Sequence, residues 1–270
     1  MSAPDRVITT ITPTVCSLLD ITVPDLSEPQ PLAEVVQASA ATLGNKVAQR
    51  ALIFCPDAIG SWLAEKYPAM FRDVIEHAPL RVRLRSVFPP KTPVCWTSMF
   101  TGALPEIHGI QPVSPRPTFH GDTFFDALAR AHKRTAIVSV TDSSMDRIFR
   151  GRDLDYFAER YDPEVTERVL ALLDAGTHDV IVAYQQEYDD VMHQTTPESP
   201  EALRALEHHV EAFSVVARAF AVHWRGYDRA VMWLTDHGTH LDLTTGRGAH
   251  GNNILEDMAV EHFFGFQPAE

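Results

Sequence analysis

The chain has 270 residues, 45% hydrophobic and 22% charged, which is the composition of a soluble globular protein long enough for one α/β core. Its formal charge of -13 argues against nucleic acid or an anionic membrane surface as a partner. The opening MSAPDRVITT lacks a basic-then-apolar leader, and no apolar run approaches the ~20 residues that span a bilayer. Cys16, Cys55 and Cys95 have no metal-type spacing and lie in apolar surroundings. The expectation is a cytoplasmic protein whose thiols pack as small hydrophobes in a reducing compartment. Thirteen histidines are the compositional oddity.

In chain order, residues 1–48 read as an accessory helical segment. TPTVCSLLDI is a short helix with Pro13 in its first turn, and a second helix covers 32–48. ALIFCPDAIG is a continuous apolar run, as in a strand buried on both faces. A helix broken near Pro68 follows, then RVRLRSVF as a strand. The next stretch, FPPKTPVCWTSMFTGALPEIHGI, should hold a short buried helix over Val94–Phe100, preceded by an irregular segment imposed by Pro89, Pro90 and Pro93. Gly102 stops the helix and PEIHG turns. QPVSPRPTFHG, 111–121, is the most loop-like interior stretch. DTFFDALARAHK is a helix, RTAIVSVT a buried strand, and SSMDRIFR a helix with a serine cap. DPEVTERVLALLDAG is a helix ending at Gly176, DVIVAYQQE a strand, and SPEALRALEHHVEAFSVVARAFAVHWRG a long amphipathic helix. RAVMWLTDHG is a further buried strand, and LEDMAVEHFFGF closes the chain as a short helix and an edge strand. Apolar strands alternating with helices predict one α/β domain, a mostly parallel sheet with helices on both faces.

In such sheets ligands gather beyond the carboxyl ends of the strands. Asp57 ends one strand there, and Asp236-His237 ends another. Asp189 and His193 follow a third, four residues apart and so on one face of a helical turn. Thr92 lies beyond RVRLRSVF, and His250 comes later beside Gly251. Singly, each has a plainer reading: Asp57 and Thr92 as helix caps, Asp189 and His193 as a surface pair, His250 as loop. Together they form two groups of oxygen and nitrogen donors. Such donors without thiolate suit zinc, manganese or iron. Two such ions side by side are a device for displacement at phosphorus.

The order DAIG, KTP…TG…P…HGI, D-x-x-x-H, TDHG and a late HG resembles the alkaline phosphatase superfamily, nucleotide pyrophosphatase/phosphodiesterase branch, across residues 53–251. The resemblance implies an alkaline-phosphatase-like three-layer sandwich and a binuclear metallohydrolase acting on a small phosphorylated substrate. Carried over by position, Asp57, Thr92, Asp236 and His237 would bind one divalent ion, and Asp189, His193 and His250 the other. Both ions are expected to be zinc, with manganese or iron as alternatives. Thr92 becomes the nucleophile rather than a cap, forming a covalent phosphothreonine. Pro93 has no amide, so an oxyanion contact falls to the amide of Val94 or Cys95, or to Lys91. His108, His208, His209 and His240 are expected to be structural or solvated rather than ligands.

Three departures from the pattern bear on substrate. The asparagine usual after HGI is replaced by Gln111, which with Lys91 is a candidate phosphate contact. Only twelve residues separate His237 from His250, so the cap is minimal. The D-x-x-x-H motif is followed by QTTPES rather than a glycine and proline. A sulfatase is not expected, since C-x-P-x-R is absent after Cys95. The leading expectation is a phosphodiesterase. Alternatives are a phosphomonoesterase, phosphonate hydrolase or phosphate mutase on the same core, or a non-catalytic binder of a phosphorylated ligand. The sequence leaves the oligomeric state open.

Overall fold

The apolar runs form strands. The computed structural model describes residues 6–112 and 118–270. A 3-10 turn at Ile8–Thr10 leads into α1 (Ile11–Leu19) and α2 (Ala33–Leu43). Then come β1 (Arg50–Pro56), α3 (Ser61–Lys66), α4 (Arg72–His77) and β2 (Leu80–Arg85), with Pro68 in the break between the two helices. Helices α5 (Thr92–Thr101), α6 (Pro105–His108) and α7 (Phe124–Arg130) precede β3 (Thr135–Val140), α8 (Ser144–Ile148) and β4 (Asp155–Glu159). Of the loop expected over 111–121, residues 113–117 lie outside those described. The second half holds α9 (Asp162–Ala175), β5 (Val180–Gln185), α10 (Glu187–Gln194), α11 (Pro200–His223) and β6 (Arg229–Trp233). A small hairpin, β7 (His240–Asp242) and β8 (Arg247–Ala249), is followed by α12 (Leu255–Met258) and β9 (Ala259–Gln267).

Seven strands form one sheet in the order β2-β9-β6-β1-β5-β3-β4. The β6-β1-β5-β3-β4 neighbours are all parallel, while β9 runs antiparallel to β2 and β6. Side chains alternate between two cores, as the two-residue period of a strand requires. Ala51, Ile53 and Cys55 of β1 face a core shared with α1, α2, α5, α7 and α8. Leu52 and Phe54 face the other, shared with α3, α4, α9 and α11. The helical segment before β1 contributes Ile8, Ile11, Val15 and Leu18 to the first core. Its Thr12 Oγ1 also donates to the Met99 carbonyl of α5 at 2.6 Å.

Three local expectations need correction. Helix α5 begins at Thr92, not Val94, with Pro93 inside its first turn. There a missing amide costs nothing and the fixed φ suits the helix. PEIHG is a short helix, α6, rather than a simple turn. Strand β9 is interior, between β2 and β6, not an edge. Strand β4 and the β7-β8 hairpin were not anticipated: β4 is half-buried with no apolar run, and each hairpin strand has three residues.

Candidate metal centre

Every candidate ligand sits at or beyond the carboxyl end of a strand or on the element that follows it. Asp57 directly follows β1, and Asp236 and His237 follow β6. Asp189 and His193 lie on α10, which starts two residues after β5. His250 directly follows β8, and Thr92 is the first residue of α5. These brings the donors into two clusters. In Asp57, Asp236 and His237 one ligand atom of each lies within 4.8 Å of the others, and the same holds for Asp189, His193 and His250. The first cluster is fully buried, whereas the His193 side chain of the second is 40% exposed. The clusters touch through the rings of His237 and His250, stacked with centroids 4.0 Å apart.

Backbone contacts orient all three imidazoles in the same way. Nδ1 of His237 lies 3.0 Å from the Gly238 carbonyl, Nδ1 of His193 3.0 Å from that of Gly248, and Nδ1 of His250 2.9 Å from that of Pro90. A carbonyl only accepts, so each Nδ1 carries the hydrogen and each Nε2 presents a lone pair. Those lone pairs face carboxylates. His237 Nε2 is 3.3 Å from Asp236 Oδ2 and 3.6 Å from Asp57 Oδ1. Nε2 of His193 and of His250 each lie 3.4 Å from Asp189 Oδ1. Asp189 Oδ1 and Asp236 Oδ2 are buried and accept no hydrogen bond. Acceptor facing acceptor in a buried site is unfavourable unless a cation lies between them, so both donor sets fit divalent metal ions.

Electrostatics agree. Burial, and then the charge of Asp189, pushes Asp57 up to about 8. Burial and the neighbouring Asp57 hold Asp236 well above the usual carboxylate range. Burial, reinforced by His250, drives His237 well below the ordinary imidazole value. At Asp189 burial opposes ionisation, but the nearby imidazole of His250, with those of His193 and His237, pulls it down overall. Divalent cations would remove the cost of holding these carboxylates ionised together.

Thr92 is not a cap: Lys91 occupies the N-cap position and no side chain caps α5. Thr92 Oγ1 instead reaches the first cluster, 3.3 Å from His237 Nε2 and 3.5 Å from Asp57 Oδ1. The expected oxyanion role for the Val94 and Cys95 amides fails, because both already donate to the Lys91 carbonyl at 2.9 Å. Lys91 Nζ donates to the His250 carbonyl at 2.7 Å, which leaves two of its three hydrogens for other partners. Gln111 is exposed at the surface.

His108 is structural. It accepts from the Ile110 amide at Nδ1 (3.1 Å) and donates from Nε2 to Ser98 Oγ (2.8 Å). His208 pairs with Glu187, and buried His209 accepts the Tyr188 amide at 3.1 Å, so neither joins the clusters. Two residues that support ligands were not singled out in advance. Tyr184 of β5 donates its hydroxyl to Asp57 Oδ2. A buried tyrosine in an aliphatic strand needs a partner for that hydroxyl, and this was the available signal. The other is Asp257, fully buried beside His240.

A family model, Type I phosphodiesterase / nucleotide pyrophosphatase, matches residues 65–112, from α3 through the end of the HGI motif. No curated protein matches the chain. Among solved structures, phosphonoacetate hydrolase from Sinorhizobium meliloti 1021, in complex with phosphonoformate, is 18% identical with a TM-score of 0.51. That match covers 73% of this chain and 59% of the hydrolase. An inactive form of murine ectonucleotide pyrophosphatase / phosphodiesterase 5, in complex with AMP, is 16% identical with a TM-score of 0.58, over 73% of this chain and 59% of that one. A 2-O GAG sulfatase is 13% identical with a TM-score of 0.56, over 81% and 64%. The chain therefore spans about three-fifths of the length of each of these proteins. At such identities the shared property is the fold, an alkaline-phosphatase-like α/β sandwich. That fold and the matched segment carry the resemblance to the alkaline phosphatase superfamily and its nucleotide pyrophosphatase/phosphodiesterase-like branch.

Proposed function

We propose that this chain is a binuclear metal-dependent phosphoester hydrolase with Thr92 as its nucleophile. One observation carries the reading. Thr92 Oγ1 lies within 3.5 Å of Asp57 and His237, beside two donor clusters whose imidazole lone pairs and carboxylate oxygens face one another. Asp57, Asp236, His237 and Thr92 would hold one ion, and Asp189, His193 and His250 the other. Mixed oxygen and nitrogen donors suit zinc, with manganese and iron as alternatives. When bound, the ions supply charge neutralisation at phosphorus and make the hydroxyl and a water more acidic. Helix α5 fixes Thr92, while Asp57 and His237 stand within reach of its proton. Attack by Oγ1 expels the leaving group with the bonding electron pair and forms a phosphothreonine, which water then hydrolyses. Lys91 has hydrogens free for a phosphate oxygen, and Gln111 lies two residues past Gly109 on the matched segment.

The substrate is proposed to be a small phosphorylated molecule. The solved relatives bind phosphonoformate and AMP, which supports that size and chemistry. No helix among the described residues is long and apolar enough to cross a membrane, and the three cysteines are buried and unpaired, which favours a reducing cytoplasm. The test pairs elemental analysis with a panel of phosphomonoesters, phosphodiesters, pyrophosphates and phosphonates. Two ions per chain and turnover of one class are expected. Replacing Thr92→Ala should lower that turnover by about a thousandfold or more while metal content stays near two per chain. Retained activity in that variant would remove the nucleophile assignment. The exposed Gln111 in place of asparagine motivates a second reading, a metal-dependent binder of a phosphorylated ligand. Full metal loading with no hydrolysis across the panel would favour it.

A further inference from the structure

The geometry points to Asp257 as the positioning residue of the second donor cluster, acting through the loop that carries His250; the inference rests on the two-metal reading above. Asp257 is fully buried on α12. Its Oδ2 accepts the amides of Gly251 at 2.9 Å and Asn252 at 2.8 Å, the two residues that follow His250. Its Oδ1 pairs with His240 Nδ1 at 2.7 Å, and Asn252 Nδ2 reaches His240 Nε2 at 3.1 Å. Three donors therefore converge on one carboxylate. The main chain of the same residue serves the other cluster, since its carbonyl accepts the amide of Gly238, next to His237, at 2.8 Å.

On its far side His250 is held by the segment leading to Thr92. Lys91 Nζ donates to its carbonyl and its own Nδ1 donates to Pro90. Gly251 has φ +120°, and a Cβ there would lie 2.6 Å from Lys91 Cε, so glycine is what lets Lys91 close over the loop. His250 follows a three-residue strand and has no helix or long strand to orient it. Asp257 and Lys91 supply that orientation from opposite sides. Loss of such supports typically weakens metal affinity by about 10- to 100-fold.

The test measures zinc affinity of each site by chelator competition and elemental analysis. Asp257→Asn removes the carboxylate charge and leaves one side-chain atom able to accept, so the side chain can no longer accept from both amides and from a His240 Nδ1–H at separate oxygens. Expected is a loss of about 10- to 100-fold in affinity at the Asp189–His193–His250 site, with the Asp57–Asp236–His237 site unchanged. The variant then holds one ion at limiting zinc, and excess zinc restores the second. His240→Leu, which removes one donor and spares both amide bonds, should show a smaller loss at the same site, and it carries the test if the first variant does not fold. Wild-type affinity at both sites in these variants overturns the assignment. Equal loss at both sites with a lower melting temperature of the metal-free protein also overturns it, since that marks general destabilisation. A wild-type protein with two ions and no turnover would overturn the hydrolase reading and leave this one standing.

Discussion

Thr92 and His108 illustrate what single residues contribute in this segment. Thr92 is half-buried with its hydroxyl turned to the first donor cluster. His108, further along the same segment, spends both ring nitrogens on structure. Burial, only slightly offset by Glu106, lowers its pKa to about 4. Its ordinary value is near 6.5, so between roughly pH 6.5 and pH 4 the unfolded chain binds the extra proton and the fold does not. Stability from this group is complete above that window and falls as pH drops through it. Protonation would also put a hydrogen on Nδ1 where the Ile110 amide already points. Denaturant titrations of His108→Gln and wild type at pH 7.5 and 4.5 check this. The variant should be about 1–3 kcal/mol less stable at the higher pH, and the gap should narrow at the lower. A constant gap would show that ring protonation contributes nothing.

At the scale of elements, α10 and the β7-β8 hairpin act as one support. His193 on α10 donates to the Gly248 carbonyl on β8, and Gly248 packs so closely that a Cβ would lie 2.5 Å from the Met192 carbonyl. Gly248→Ala should therefore push β8 away from α10, destabilise the fold by about 1–3 kcal/mol, and weaken zinc binding at the Asp189 cluster. Thermal melts with chelator competition read both effects; unchanged zinc affinity would separate the hairpin from the site. The major elements and the six Asp and His residues that gather in the two donor clusters were legible from sequence, because apolar runs and strand-end Asp and His residues are local signals. The interior position of β9 was not, since AVEHFFGFQ carries Glu261 and His262 and its neighbours come from residues far away in the chain. Nor was the hairpin, whose short strands are defined by pairing with each other. The role of Asp257 and the shared tautomer of the three imidazoles depend on contacts to distant backbone, which no spacing pattern records.

For the whole molecule, the two donor clusters lie side by side beyond the carboxyl ends of the parallel strands. The wholly buried first cluster and the partly exposed second predict stepwise demetallation. A chelator should remove one ion quickly and the other slowly, seen as two phases in a zinc-release assay; a single phase would contradict the difference in burial. If two ions bind only the folded chain, full removal should lower the melting temperature by roughly 10 °C, taking about 2.7 kcal/mol per site at a hundredfold excess over Kd. Scanning calorimetry with and without chelator checks it, and an unchanged melting point would mean the clusters hold no ion under those conditions.

The turn between β7 and β8 has a consequence for how such a molecule can diversify. Residues 243–246 are exposed, while the ladder beneath them joins the segment that leads from His237 to the one that leads to His250. Lengthening a surface turn costs little, since closure entropy grows only with the logarithm of loop length. New sequence grafted there could form a wall over the metal pair while the registered strands hold both histidines in place. Specificity could then be rebuilt, by evolution or by an engineer, as an insertion that leaves the chemistry untouched.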